Sequence, residues 1–235
     1  MLPELKETVF KANMELAKSG LIILTFGNVS GIDRRRGIVA IKPSGVPYDD
    51  LKAEDIVLVD LEGHVVEGWL NPSSDTPTHV ELYKAFPSIG GIAHAHSEYA
   101  TMFAQAHRDI PCFGTTHADQ FHGPVPLTRL LREAEVATDY EQNTGKVVVE
   151  RFAGLDPLEL PAVLVAGHGP FAWGRTPAEA VETALVLEQV AKMAYGSMIL
   201  DPHLSPLDRP IREKHFRRKH GPDATYGQKK EKDND

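Results

Sequence analysis

His94 and His96 stand two residues apart in the run Ser88-Ile89-Gly90-Gly91-Ile92-Ala93-His94-Ala95-His96. The glycines followed by apolar residues read as a turn feeding a short buried strand. Side chains alternate across a strand, so both imidazoles leave one face and can reach one cation. Alone, such a pair is as readily two unrelated histidines. His168 tips the balance, because it follows a second apolar run, Ala162 to Ala166, and lies between Gly167 and Gly169, which let the backbone bend and aim the ring inward. Three histidines at strand ends leave a place for a fourth ligand and for substrate, the pattern of a catalytic zinc site. A thiolate cage is excluded, since Cys112 is the single cysteine. Asp75 is the expected fourth ligand, and the cation is expected to be divalent, zinc first, with manganese or cobalt as alternatives. His79, one helical turn past Asp75, either orients that carboxylate or packs in the core.

Three short elements could hold an anion: Gly27-Asn28, Ser44-Gly45 and Ser73-Ser74. They offer hydroxyls and backbone amides, and the third precedes a helix whose dipole favours negative charge. Any one of them is an ordinary turn; their coincidence with a metal set points to a phosphate monoester. Lys42 stands beside Pro43-Ser44-Gly45 and either supplies charge or is a solvated strand-end lysine.

These residues need a frame. Pro3 to Ser19 places Leu5, Val9, Ala12 and Leu16 on one helical stripe ending at Gly20. Asn28–Asp33 and Ile38–Ile41 read as a hairpin about Arg34-Arg35-Arg36-Gly37, and Ile56–Asp60 with His64–Glu67 as a second. Thr76 is expected to cap a helix that has Pro77 as its first residue. Tyr99 to Ala106 reads as helix, and Thr176-Pro177-Ala178-Glu179 as a capping box opening the longest one. A basic helix is expected from Arg212 to Lys219. The expected fold class is α/β: a single domain, residues 1–227, with a mostly antiparallel sheet flanked by helices. Residues 228–235, charged and apolar-free, are expected to be a disordered tail.

The 235 residues carry 25 Lys and Arg against 33 Asp and Glu, a formal charge of −8. That balance argues against nucleic-acid binding, which needs a basic face. No long apolar run suggests a membrane span and no leader is evident, so a cytoplasmic location is expected.

The motifs taken in order resemble the class II aldolase and epimerase family, over nearly the whole chain. They are Leu24-Thr25-Phe26-Gly27-Asn28-Val29-Ser30, Ile41-Lys42-Pro43-Ser44-Gly45, Pro72 to His79, Gly114-Thr115-Thr116-His117-Ala118-Asp119, His168 to Gly174 and Tyr226-Gly227-Gln228. The resemblance implies a nine-stranded sheet and a homotetramer with active sites at subunit interfaces. It places the metal on Asp75, His94, His96 and His168, and phosphate contacts on Gly27, Asn28, Ser44, Gly45, Ser73 and Ser74. It implies an acid–base pair, Asp119 and Tyr226, with Glu141, His215 and Arg218 in support. In the aldolase branch a glutamate serves as base at the position of Asp75, so aspartate favours the epimerase branch. The activity implied is inversion at C4 of a ketopentose 5-phosphate by cleavage and re-formation of the C3–C4 bond. Rival expectations are an aldolase acting on a deoxyketose 1-phosphate and, from another class, a metal-free binding module of the same fold. A metallohydrolase would leave the phosphate loops without a purpose. Gln120 departs from the family pattern, which has an aromatic there.

Overall fold

The computed structural model describes residues 2–220 and 224–225; Tyr226 and the 228–235 tail lie outside the described residues. In chain order the elements are α1 (Pro3–Lys18), β1 (Gly27–Asp33), β2 (Ile38–Ile41), β3 (Val57–Asp60), β4 (Val65–Glu67), α2 (Thr76–Ala85), β5 (Gly91–Ala95), α3 (Glu98–Gln105), α4 (Thr115–Ala118), α5 (Glu133–Ala137), α6 (Tyr140–Arg151), β6 (Ala162–Val165), β7 (Gly169–Gly174), α7 (Pro177–Leu200) and α8 (Arg209–His220). The strands form one sheet ordered β4-β3-β2-β1-β5-β7-β6, antiparallel at every pairing.

Both expected hairpins form, the second one residue shorter at each strand start. The sheet has seven strands among the described residues, not the nine that the resemblance implies. Further extended segments pair only as isolated bridges, Ile110 with Val125 and Leu127 with Leu164. Pro111 and Pro126 stand next to these bridges and have no N–H to extend a ladder.

Two buried clusters cover the two sheet faces. One packs α1, α3 and the small residues of α7 against Val29, Ala93 and Ala172. The other packs α2 and α6 against Val39, Ile92, Phe171 and Trp173. Burial of such side chains is the main stabilising term, at roughly 25 cal/mol per Å² of apolar surface. Two polar devices join these layers. The buried amide of Asn13 on α1 donates to Val29 O at 2.9 Å and accepts from Val29 N at 2.8 Å. Arg34, read from sequence only as part of a turn, donates to the carbonyls of Tyr83, Phe86 and Ile89 and so closes the C-terminal end of α2.

The helix starts differ from expectation in detail. Asp75, not Thr76, occupies the cap position of α2 and makes no side-chain capping bond. Thr76 is the first helical residue, its hydroxyl donating to Ser73 O at 2.6 Å. At α7 the Thr176 hydroxyl accepts from Glu179 N, but the Glu179 carboxylate turns to Arg175 N, so only half of the capping box closes. The basic helix α8 begins three residues earlier than expected, at Arg209.

Candidate metal and sugar-phosphate site

His94 lies on β5 in the middle of the sheet, in register with Asn28 on one side and Phe171 on the other. Its ring stacks on Phe171 with centroids 4.1 Å apart. Its Nδ1 is 2.8 Å from Pro170 O. A carbonyl only accepts, so Nδ1 carries the proton and Nε2 is left as the bare nitrogen. His96 follows the end of β5, and His168 sits in the turn between β6 and β7. That turn is held by His168 N donating to Val165 O and Gly167 N donating to Ala104 O, each at 3.0 Å. Gly167 takes a positive φ of 72° there.

The fold brings these three rings together. Their centroids are 4.9 to 5.0 Å apart, and each offers a nitrogen within 4.8 Å of the other two. Burial, helped by the neighbouring imidazoles, pushes the His168 pKa down to about 4 and lowers that of His96. Neutral imidazole is the form that binds a cation. Within the chain, the buried His168 Nδ1 and Asn28 Oδ1 lack hydrogen-bond partners. Three converging bare nitrogens fit a divalent ion of the zinc type.

Asp75 borders this group, with Oδ2 4.0 Å from His94 Nε2. Its carboxylate accepts from Asn28 Nδ2 at 2.7 Å. Burial alone would raise its pKa, but His94, His79 and the Asn28 amide outweigh that and hold it low. His79, whose role the sequence left open, is buried with Nδ1 2.7 Å from Ser30 Oγ, itself 2.8 Å from the Tyr83 hydroxyl. Burial pushes its pKa down to about 3. It thus ends a buried polar chain through Ser30 and Tyr83, and its Nε2 has no hydrogen-bond partner among the described residues.

A cavity of about 400 Å³ opens over the histidines. Gly27, Asn28, Ser44, Gly45, Ser73 and Ser74 line it together with Asp75 and Glu141. The Ser44 and Ser73 loops are stitched together: Ser44 N donates to Asn71 O and Ser73 N to Lys42 O. Two of the amides that the sequence offered to an anion are therefore engaged, leaving hydroxyls and the N–H groups of Gly45 and Ser74. Gly27 needs to be glycine, since φ is +137° and a Cβ would lie 2.9 Å from His94 O.

Sequence reasoning gave no site role to four lining residues, Thr25, Phe26, Pro43 and Tyr140. Lys42 lines the cavity as well and is not the solvated strand-end lysine that was one of its two expected readings. At 1% exposure, Lys42 donates to Val46 O at 2.7 Å and Pro43 O at 3.3 Å, bracing the Ser44 loop from within. Its ammonium lies over the Tyr48 ring, whose hydroxyl donates to Gly27 O. Burial lowers the Lys42 pKa to about 8.

Asp119, His215 and Arg218 meet elsewhere. Asp119 ends α4 and accepts from His215 Nδ1 at 3.0 Å and from Arg218 through Nε at 3.1 Å and Nη2 at 2.8 Å. Burial opposes ionisation of Asp119, but the Arg218 and His215 hydrogen bonds prevail and lower its pKa. None of the three lines the cavity over the histidines. No helix among the described residues is long and apolar enough to cross a membrane.

The family model for the Class II Aldolase and Adducin N-terminal domain matches residues 7–195. The chain belongs to this family. Among solved structures, an L-fuculose 1-phosphate aldolase superposes with a TM-score of 0.76 at 27% identity, covering 90% of this chain and 94% of that one. The L-fuculose-1-phosphate aldolase of Thermus thermophilus gives 0.62 at 25% identity, over 86% and 98% of the two chains. YgbL of Klebsiella pneumoniae shares the class II aldolase fold at 0.70 and 23% identity, over 90% and 97%.

Proposed function

We propose that this class II aldolase family member is a metal-dependent sugar-phosphate enzyme, an L-ribulose-5-phosphate 4-epimerase. The observation that carries the reading is one cavity in which three converging imidazoles and a carboxylate face loops of hydroxyls and amides. His94, His96 and His168, with Asp75, would hold a divalent cation, zinc first. When bound, that cation supplies Lewis-acid stabilisation of negative charge on the sugar oxygens.

The C4 hydrogen of a ketopentose is not acidified by a neighbouring carbonyl, so inversion proceeds by C3–C4 cleavage. A base takes the C4 hydroxyl proton, the C4 oxygen becomes the carbonyl of glycolaldehyde phosphate, and the bond's electron pair stays on the C1–C3 half. The loops at Gly27-Asn28, Ser44-Gly45 and Ser73-Ser74 hold the phosphate so the aldehyde cannot leave. It turns and re-adds through its other face, and a second group returns the proton. Asp119 and Tyr226 take these two roles, with Glu141, His215 and Arg218 beside them. Because Asp119 stands apart from the histidines of its own chain, it serves the site of a neighbouring subunit in a homotetramer.

Incubation with L-ribulose 5-phosphate tests the reading, D-xylulose 5-phosphate being the expected product. Cleavage of L-fuculose 1-phosphate without epimerisation would favour the second reading, an aldolase, which the 27% identical structure supports.

A further inference from the structure

Helix α3 spans the distance between two of the three histidines. Its first residue, Glu98, follows His96 by two positions, and Ala104 near its other end accepts from the N–H of Gly167, next to His168. Loosening of the first turn of α3, with its far end still held at Gly167, would therefore move His96 against His168, their rings now 5.0 Å apart. His94 is independent of it, being fixed in the β5 ladder.

What holds α3 is a carboxylate from another helix. Glu188 of α7 is 6% exposed, and its two oxygens accept from Tyr99 N at 2.8 Å and Ala100 N at 3.0 Å. These belong to the first N–H groups of a helix, which find no carbonyl within it. Ser97 occupies the cap position but makes no capping bond, so Glu188 takes over that task from outside. A charged acceptor on such donors is a strong hydrogen bond and lies at the positive end of the helix dipole. The same corner is gripped further along α7, where Lys192 lies over the Tyr99 ring and Tyr195 packs at a tilt beside it.

We propose that Glu188 is a positioning residue for the cation site: by pinning the start of α3 to α7 it sets the spacing of His96 and His168. The inference rests on the reading of the three histidines as cation ligands. Glu188 acts through α3 and touches no substrate.

The test uses the full chain as wild type, Glu188→Ala, Glu188→Gln and Val181→Ala, a core truncation elsewhere on α7. Zn²⁺ affinity is measured by competition with a chromophoric chelator, the ligand field from the Co²⁺ absorption band, and the melting temperature on stripped protein. Glu188→Ala is expected to weaken Zn²⁺ binding about 10- to 100-fold, as loss of support behind a metal ligand does, and to shift the Co²⁺ band. Glu188→Gln keeps one acceptor oxygen and falls between. Val181→Ala lowers the melting temperature but leaves affinity and band as in wild type, which separates positioning from stability. Wild-type affinity and band in Glu188→Ala, or in Glu188→Gln if the alanine variant does not fold, would overturn the inference. A wild-type protein that binds no equivalent of Zn²⁺ would instead remove the histidine reading, and this inference with it.

Discussion

Asn28 Nδ2 donates to Asp75 Oδ2 at 2.7 Å and to Ser73 Oγ at 3.0 Å, so one amide on β1 ties the carboxylate beside the histidines to the serine loop of the same cavity. Removing it as Asn28→Ala costs a hydrogen bond to a charged group, about 1.5–3 kcal/mol, which is roughly 10- to 150-fold in kcat/KM. The pH dependence has a definite sign. Asp75 has a depressed folded pKa, so its contribution is present above the unfolded value and lost as pH falls through the folded one. Without the amide the folded pKa rises, and the acid limb of metal retention moves to higher pH. An unmoved limb would dissociate Asn28 from Asp75.

His96→Asn should lose cation and activity together, measured by elemental analysis and turnover. With Zn²⁺ at a hundredfold its dissociation constant, binding stabilises the native chain by about 2.7 kcal/mol, so chelation should lower the wild-type melting temperature. The His96→Asn melting temperature should not respond to chelator. A response equal to wild type would show the cation held elsewhere.

Lys42→Met strands the Val46 carbonyl and should cost about 1–3 kcal/mol of stability. At about 2–4 °C per kcal/mol for a chain this long, the melting temperature should fall several degrees, with a rise in KM as the Ser44 loop loosens. A raised KM at unchanged melting temperature would mean that the ammonium serves substrate directly.

Asp119→Asn should keep its full cation content and lose turnover. Since Asp119 stands apart from the cavity of its own chain, mixed tetramers of Asp119→Asn with His96→Asn should regain part of the wild-type activity through sites that pair two intact halves. No recovery on subunit exchange would place Asp119 and the histidines in one chain's site.

His122 offers a second pH signature, away from the cavity. Its nitrogens lie 2.9 Å from Glu159 and 3.1 Å from Glu213, joining α8 to the body of the fold. Burial disfavours the imidazolium, but the two carboxylates outweigh it and raise the pKa. A raised folded pKa gives stability that is complete below the unfolded value and lost as pH rises through the folded one. The melting temperatures of wild type and His122→Asn should differ in mild acid and converge above that range; a gap independent of pH would refute the charge assignment.

Much of the fold could be read in advance, because the hairpins and the α1 and α7 helices follow local rules of alternation, turn and cap. The convergence of the three histidines was readable because alternation and flanking glycines are local too. β7 was not. Pro170 argues against a central strand, yet β7 lies between β5 and β6, and that proline's carbonyl is what orients His94. Lys42 was legible only in part, since lysine on a strand end ordinarily reaches solvent, whereas here the Tyr48 ring and Val46 carbonyl a few residues on hold it inside. Phe26 and Tyr140 carry no spacing signal; they join the cavity through tertiary placement alone.

The sheet order has an evolutionary consequence. Asn28 and His94 hang on its inner strands β1 and β5, with His96 just past the end of β5 and His168 in the β6–β7 turn, whereas Asp119, His215 and Arg218 rest on two helices joined by side-chain contacts. The first group cannot drift without dismantling the ladder; the second can be rebuilt by a few surface substitutions. On the proposed reading, a lineage could thus keep its histidine cluster unchanged while altering the acid–base group set against it.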